Sequence, residues 1–260
     1  MEFYAVERNL RELFRLLAAG RLGGEVRELP GLTVASAGSA FQMFNAVFLS
    51  SPVADQADLE RRVALASVLL QARGLPWAFW VCEEWLPLGL RRRLLRICER
   101  FGLHLGSEMP GMVAESLSGP ERTCPELQLR TVTDGSRLRE FCQVGAFCFQ
   151  VPPPWFQEIF DHPERFTGAL AAWVGYAEGQ PVATAATVIS EHEIGVYNIA
   201  TLPDFRARGY GEAMLRQAVS QARARSGQKR LVLQSTRQGL RLYERLGFST
   251  VTRVLVFRSR

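Results

Sequence analysis

The chain has 260 residues, of which 31 are Lys or Arg and 26 are Asp or Glu, so its formal net charge is +5. This length allows one large domain or two small ones, and the hydrophobic content of 47% is ordinary for a soluble globular protein. The modest, scattered charge disfavours a nucleic-acid binder, since the longest basic run is only 91–93. No apolar stretch reaches the ~18 residues that a membrane span requires. We therefore expect neither a nucleic-acid partner nor a membrane partner.

Other compositional signals point to the cytoplasm. Lys229 is the only lysine among the basic residues, a bias typical of a GC-rich bacterial genome. The five cysteines are scattered and contain no C-x-x-C pair, which favours reduced thiols. Acidic residues at positions 2, 7 and 12 do not fit a secretory signal. The three histidines lack metal-ligand spacing, so no metal site is expected.

The first half of the chain alternates predicted helices and strands. Apolar residues recur at helical spacing from position 3 to position 19, and a Pro30-Gly31 turn then joins two short strands. The remaining predicted elements are a strand over 41–49, a helix from Asp55 or Asp58 to Arg73, a strand over 77–82, a helix over 88–101, and strands over 103–106 and 111–117. This pattern predicts a first domain over residues 1–120.

A linker rich in proline and glycine, 119–125, precedes the second half. The predicted elements that follow are a strand over 127–132, a helix capped by Asp134 and ending near Phe147, a stiff proline loop over 151–156 leading into a helix over 154–160, strands over 169–176, 181–190 and 193–201, a helix over 209–226, a strand over 230–234, a helix over 237–246 and a strand over 248–257. The second domain is predicted over 126–260, in the order β-α-α-β-β-β-α-β-α-β.

The junction between strand 193–201 and the following helix is the most informative stretch. Pro203 ends the strand, and Arg206-Ala-Arg-Gly-Tyr-Gly211 opens the helix. A helix N-terminus offers unpaired N–H groups and a partial positive charge, glycines allow close backbone approach, and arginines add forked donors. These features suit a pyrophosphate. The alternative is a glycine-bearing turn with solvated arginines. The P-loop and dinucleotide patterns do not match.

Two segments resemble one family. The R-x-x-G-x-G pattern within 199–211, and the strand–helix segment 231–248 ending in Tyr-x-x-x-Gly-Phe, resemble the acyl-CoA-binding turn and the C-terminal segment of the GNAT superfamily of N-acyltransferases. The resemblance implies an α/β fold with a mixed sheet, the acyl-CoA N-acyltransferase fold. The first half, with Phe44-Asn45 and Met112, resembles more weakly the degenerate N-terminal half of tandem GNAT proteins. An unrelated α+β cap is the alternative.

The resemblance implies acetyl-CoA (coenzyme A) as cofactor and assigns its contacts. Ile199, Ala200 and Thr201 map to the strand that splays at a bulge and exposes backbone groups to the pantetheine arm and the thioester. The other predicted cofactor-binding residues are Arg206, Ala207, Arg208, Gly209, Tyr210, Gly211, Thr236 and Gly239. Thr236 stands where many homologues have asparagine, so the contacts over 235–239 depart from the family pattern.

The family pattern also implies the catalytic groups. Tyr243 matches the tyrosine that protonates the departing thiolate, and an unperturbed tyrosine pKa near 10 keeps that proton available. The alternative is a tyrosine that only packs its helix on the sheet. Glu193 is the predicted general base, acting through water. Glu191, His192 and Tyr197 stay open as bases, as does a solvated hairpin role for Glu193.

The acceptor site is predicted from aromatic residues that follow the proline loop. These residues are Trp155, Phe156 and Phe160, with Phe44 and Asn45 of the first half forming an opposite wall. They suggest a partly apolar acceptor, and core packing is the alternative.

We therefore expect an N-acetyltransferase that moves an acetyl group from acetyl-CoA to a primary amine of a small molecule or peptide. Two other readings stay open. One is a non-catalytic acyl-CoA sensor, and the other is a thiol-biosynthesis acetyltransferase similar to mycothiol synthase, although the chain is short for that enzyme. The sequence leaves the oligomeric state open, with a homodimer as one option.

Overall fold

The computed structural model describes residues 2–259. Its α-helices in this range are α1 Phe3–Ala18, α2 Gln56–Ala72, α3 Leu88–Arg91, α4 Leu94–Arg100, α5 Gly135–Phe149, α6 Pro153–Ile159, α7 Tyr210–Ser226 and α8 Leu240–Arg245. Its strands are β1 Glu25–Leu29, β2 Leu32–Ser36, β3 Asn45–Leu49, β4 Ala78–Cys82, β5 Leu103–Ala114, β6 Gln128–Thr131, β7 Leu170–Ala177, β8 Gln180–Ile189, β9 Glu193–Thr201, β10 Arg230–Gln234 and β11 Ser249–Ser259. The mixed α/β class predicted from the sequence is confirmed.

Two elements of the first half were predicted wrongly in extent. The strand over 41–49 begins only at residue 45, because a 3-10 turn with a hydrogen bond from the Phe44 N–H to the Phe41 carbonyl precedes it. The helix over 88–101 is two helices, since the Arg93 N–H bonds to the Leu90 carbonyl three residues back and interrupts the helical pattern.

Two further predictions also differ from the structure. The strands over 103–106 and 111–117 are one strand, β5, that runs through Pro110, since a single proline removes only one donor from the ladder. The predicted helix over 237–246 is shorter. The Thr236 hydroxyl accepts a hydrogen bond from the Gly239 N–H at 3.2 Å, and this local turn delays the start of α8 to residue 240. The element order predicted for the second half is confirmed.

The described chain forms two compact units, and neither is contiguous in sequence. One unit contains residues 14–111 and 250–259, and the other contains 2–13 and 112–249. The boundaries therefore fall inside α1 and β5. The predicted domains, 1–120 and 126–260, stay predictions. The compact units differ from them by assigning the start of α1, residues 112–120 and most of β11 to the opposite half.

The first unit is a mixed sheet with its own core. Strands β1, β2 and β3 pair antiparallel, β3 and β4 pair parallel, and β11 pairs antiparallel with β4. Phe14, Phe48 and Trp80 pack against one another with ring centroids 4.9–5.7 Å apart. Such aromatic packing is a large apolar contribution to the stability of this unit.

The second unit carries the elements that matter for function. Its strands follow the order β10-β9-β8-β7-β6; β10 and β9 are parallel and the others antiparallel. Helix α7 covers one face of this sheet, where Ile194 and Val196 pack with Leu215 and Val219. Because strand side chains alternate, residues 193, 195 and 197 point to the opposite face.

Candidate functional site

The turn from β9 into α7 is a concentration of backbone donors. Ala207 and Gly209 both have positive φ, 60° and 93°. Among residues 2–259, the N–H groups of 207–212 have no hydrogen-bond acceptor, whereas Ala213 N–H bonds to the Gly209 carbonyl at 3.0 Å. Helix α7 is 17 residues long, so its dipole adds positive potential at the same place. The turn is therefore an anion-binding geometry.

Gly209 and Gly211 have different reasons for lacking a side chain. A Cβ at Gly209 would lie 2.9 Å from Cδ of Pro125, on backbone that already has positive φ. A Cβ at Gly211 would make only ordinary contact, 3.4 Å from the Thr201 hydroxyl. The first glycine is required by the turn itself. The second leaves the backbone at the start of α7 open to a ligand.

Three arginines surround this turn, and none of them pairs with a carboxylate within residues 2–259. Arg206 Nε donates to the Thr201 carbonyl at 2.9 Å, and Arg208 lies over the Phe205 ring, 5.7 Å from its centroid. Arg122, which the sequence analysis did not single out, donates to the Ala207 carbonyl at 3.4 Å. Their charges are free to attract an anion.

A buried carboxylate anchors the base of the turn. Glu212, in the first turn of α7, accepts from Arg216 at 2.8 Å and from Arg245 of α8 at 3.3 Å. Burial raises the pKa of this carboxyl, but the hydrogen bonds and charges of the two arginines outweigh it, so the pKa is lowered. The pair of arginines thus ties α8 to the start of α7.

Strands β9 and β10 separate where the sequence predicted a splay. Their pairing covers Arg230–Val232 against Glu193–Gly195 and stops there, although β9 continues to Thr201. The register of β9 against β8 shifts between Thr184 and Ala186, and Asn198 has a φ of 50°. This is a β-bulge. Ile199, Ala200 and Thr201 lie beyond it, without ladder bonds to β10.

Cys148, near the end of α5, stands beside the same strand end. Burial raises the pKa of its thiol, and hydrogen bonds with Arg206 and the Thr201 backbone act in the opposite direction without cancelling that effect. The thiol is therefore neutral at pH 7.

Tyr243 lies on α8 against the glycine that precedes the helix. A Cβ at Gly239 would lie 2.8 Å from Cε2 of Tyr243, and the ring packs edge-on to Phe248 with centroids 5.9 Å apart. Burial raises the pKa of Tyr243 to about 12. No hydrogen-bond partner of its hydroxyl is found in the described part of the chain. The group therefore keeps its proton at neutral pH and has it available for a ligand.

Glu193 is buried, so the alternative of a solvated hairpin glutamate is wrong. Only 1% of its surface is exposed, and its carboxylate pairs with Arg8 of α1 and accepts from the Ser190 hydroxyl at 2.9 Å. His192 and Glu191, the other hairpin candidates, are exposed and lie 3.6 Å from each other.

Helix α1 contributes a residue that the sequence analysis missed. Asn9 is fully buried; its amide donates to the Val188 carbonyl at 3.1 Å and the Ser190 hydroxyl at 2.8 Å, and its Oδ1 accepts from the Tyr197 hydroxyl at 2.8 Å. A Cβ at Gly195 would lie 1.7 Å from that Oδ1. The signal in the sequence was the isolated glycine inside a strand, which often marks close approach of another group.

The predicted acceptor residues separate into two groups. Trp155 is 40% exposed, whereas Phe156 and Phe160 are buried in an aromatic cluster with Phe141 and Phe166. This packing leaves Phe156 and Phe160 little surface for an acceptor, so the core alternative describes them better. Trp155 keeps the predicted role as a proposal.

The predicted opposite wall lies in the first unit. Asn45 is fully buried there, and its amide exchanges hydrogen bonds with Ser36, Ser39 and the Pro76 carbonyl at 2.7–3.2 Å. All of its polar capacity is used in holding strand ends together. Phe44 stacks on Phe14 with centroids 5.3 Å apart. Both side chains are explained by packing within that unit.

Residues 138–248 match the family model described as the Acetyltransferase (GNAT) family. The chain therefore carries a GNAT acetyltransferase domain. The matched range contains the α7 turn, the splayed strands and Tyr243. Enzymes of this family transfer an acyl group from acetyl-CoA, so the domain is an acyltransferase domain and acetyl-CoA is its cofactor.

Solved structures share the fold over nearly the whole chain. A GCN5-related N-acetyltransferase from Kribbella flavida has a TM-score of 0.73 at 18% identity, covering 98% of this chain and 95% of its own. A functionally unknown conserved protein from Staphylococcus epidermidis has a TM-score of 0.65 at 12% identity, with 90% and 92% coverage. A GCN5-related N-acetyltransferase from Sphaerobacter thermophilus scores 0.58 at 15% identity, with 88% and 76% coverage. At these identities the likeness shows the fold of the GNAT domain and of the residues before it. A search of curated proteins gave no match.

Proposed function

We propose that the chain transfers an acetyl group from acetyl-CoA to a primary amine of a small molecule or peptide, by direct attack of the amine while both substrates are bound. The observation that carries this proposal is that the α7 turn lies next to the end of β9, which no longer pairs with β10. Within residues 2–259, the turn has N–H groups without acceptors and arginines without carboxylate partners. The turn suits a pyrophosphate, and the end of β9 suits the amide-rich arm of coenzyme A.

The residues present fit the phosphate groups of the cofactor. The N–H groups from Ala207 to Glu212 form a cradle, with Tyr210 and Gly211 at its centre, that a Cβ at Gly211 would border but not fill. Arg206 and Arg208 supply two cations with forked donors. Cofactor binding would compete for Arg206, which in this structure bonds to the Thr201 carbonyl.

The freed edge of β9 would hold the pantetheine arm. Ile199, Ala200 and Thr201 lie beyond the last ladder pair with β10, so this edge of β9 has backbone groups that β10 does not use. Their N–H groups also suit the thioester carbonyl, where negative charge grows as the amine attacks. Thr236 and Gly239, predicted as cofactor contacts, bond to each other at the start of α8, so their role is to shape the wall that carries Tyr243.

Tyr243 is the proposed general acid. Its pKa is about 12 and its hydroxyl has no partner in the described part of the chain, so it would give a proton to the departing thiolate. Coenzyme A supplies that thiolate when the acetyl group leaves. Glu193 is the proposed base, taking the proton of the amine through a water, with Arg8 and Ser190 fixing the carboxylate on the face of β9 that also carries Tyr197. Trp155 is the proposed apolar contact for the acceptor.

The experiment that tests this proposal is release of free thiol from acetyl-CoA in the presence of primary amines: diamines, amino sugars, amino acids and short peptides. The variant Arg206→Ala/Arg208→Ala should reduce kcat/KM for acetyl-CoA at least 10-fold, by loss of two charge-assisted contacts. Arg92→Ala/Arg96→Ala is the matched control, because it removes two exposed arginines elsewhere. Binding of acetyl-CoA without thiol release on any amine would instead favour a non-catalytic sensor.

A further inference from the structure

The linker over residues 119–125 packs against the α7 turn. Cδ of Pro125, at its end, lies 2.9 Å from the position that a Cβ of Gly209 would take. Just after the linker, the Leu127 carbonyl accepts a hydrogen bond from Gln217 of α7 at 3.1 Å. The linker is therefore held beside the start of α7, and its side chains are neighbours of the proposed pyrophosphate site.

Arg122 is the linker residue that reaches the turn itself. Its side chain is exposed, and its guanidinium donates to the Ala207 carbonyl at 3.4 Å. Among the residues that the structure describes, this is its only hydrogen bond, and no carboxylate pairs with it. The preceding residue, Glu121, instead pairs with Arg245 of α8 at 3.7 Å. A guanidinium has several N–H donors, so one long bond to a neutral carbonyl leaves most of them for another acceptor.

Coenzyme A carries two phosphate groups of different kinds. The pyrophosphate is matched by the N–H groups of 207–212, the dipole of α7, and the side chains of Arg206 and Arg208. The other group is the 3′-phosphate of the ribose, a monoester with a charge of about −1.5 to −2 at pH 7. Because one ribose joins the two groups, the 3′-phosphate has to lie close to the pyrophosphate. Arg122 is the third arginine at the turn, and the proposed function gives it no task.

We propose that Arg122 binds the 3′-phosphate of coenzyme A, so that the linker sets the specificity for the phosphorylated cofactor. This inference rests on the proposed function, which puts the pyrophosphate at the α7 turn. The forked donors of a guanidinium match two oxygens of one phosphate group. On binding, Arg122 would exchange a neutral acceptor, the Ala207 carbonyl, for a doubly charged one.

The experiment compares coenzyme A with dephospho-coenzyme A, which lacks only the 3′-phosphate. Calorimetric titration at low salt gives the Kd of both ligands for the wild type, Arg122→Ala, Arg122→Lys and Arg241→Ala. Arg241→Ala is the matched control, because Arg241 is an exposed arginine of α8 for which no hydrogen bond to the turn is found in the described range. The ratio of the two Kd values is the preference for the 3′-phosphate.

We expect the wild type to prefer coenzyme A by about 3- to 30-fold, as one exposed charge-assisted contact allows. Arg122→Ala should bring the two Kd values within about 2-fold of each other by weakening coenzyme A alone. Arg122→Lys keeps the charge and loses the fork, so it should keep part of the preference. Arg241→Ala should keep all of it. In the wild type, the preference should shrink as the salt concentration rises, since exposed charges are screened.

Equal affinity of the wild type for the two ligands would overturn the inference and leave the proposed function intact. An equal loss of both affinities in Arg122→Ala would also overturn it, because a residue that only supports the turn behaves in that way. A preference lost in Arg241→Ala and kept in Arg122→Ala would place the 3′-phosphate on α8 instead. If the wild type binds neither ligand, the proposed function itself fails, and this inference fails with it.

Discussion

Gly195→Ala tests whether helix α1 is built into the sheet face behind the site. The added Cβ would lie 1.7 Å from Asn9 Oδ1 and 2.5 Å from Cε2 of Tyr197, so Asn9 would have to move. Asn9 makes three side-chain hydrogen bonds, to Val188, Ser190 and Tyr197. Losing two of them at about 1 kcal/mol each, with an overpacking cost of about 1–3 kcal/mol, gives a loss of about 3–5 kcal/mol.

The assay is urea unfolding followed by circular dichroism, with the free energy of unfolding extrapolated to water. Gly135→Ala is the control in the same unit, because a Cβ there would meet only the tip of Arg139, at 3.6 Å. Gly135 is the first residue of helix α5, where an alanine meets no strain, so the free energy of unfolding should change by less than about 1 kcal/mol. If the free energy of unfolding of Gly195→Ala lies within about 1 kcal/mol of the wild-type value, Asn9 of α1 does not pack on Gly195 of β9.

Three further predictions concern ionisable groups. Glu212→Gln should lower the free energy of unfolding by about 1–3 kcal/mol at pH 7, since it leaves Arg216 and Arg245 without their carboxylate. Because the folded-state pKa of Glu212 is lowered, the difference in the free energy of unfolding between wild type and variant, measured in urea, should shrink as the pH falls through the unfolded value near 4.5. A constant difference would refute the pairing. Tyr243→Phe should slow turnover about 100-fold or more without changing the Kd of acetyl-CoA. In the wild type, the raised pKa of Tyr243 predicts a contribution to stability that is complete below pH 10 and lost as the pH approaches 12. The variant should not lose stability from this source in that pH range. Glu193→Gln should lower kcat more than it raises the KM of the amine, and the opposite pattern in steady-state kinetics would remove it from the base role.

The parts of the site that the sequence predicted are those encoded by neighbouring residues. The turn from Arg206 to Gly211 could be predicted because a strand end, two arginines and two glycines stand within a few positions. The order of elements after residue 127 follows from local periodicity and capping, as with Asp134, whose carboxylate accepts from the Ser136 and Arg137 N–H groups at 2.9 Å.

The parts that the sequence did not predict depend on contacts between distant segments. In the sequence, Asn9 is one of several polar residues of an amphipathic helix, and nothing in the pattern marks it as buried. Only the folded chain places it against Gly195 and Tyr197. Phe156 and Phe160 illustrate the converse, because aromatic residues after a loop are compatible with either a ligand wall or a core until their burial is known.

No helix within residues 2–259 combines the length and hydrophobicity that crossing a bilayer would take.

Binding at the α7 turn is the central claim of this account, and calorimetric titration of acetyl-CoA tests it most directly. The account predicts one site per chain in the wild type and in Arg92→Ala/Arg96→Ala, with binding weakened at least 10-fold in Arg206→Ala/Arg208→Ala. Equal affinity in all three proteins would place the cofactor elsewhere, and the absence of binding in the wild type would leave a GNAT fold without acetyl-CoA chemistry.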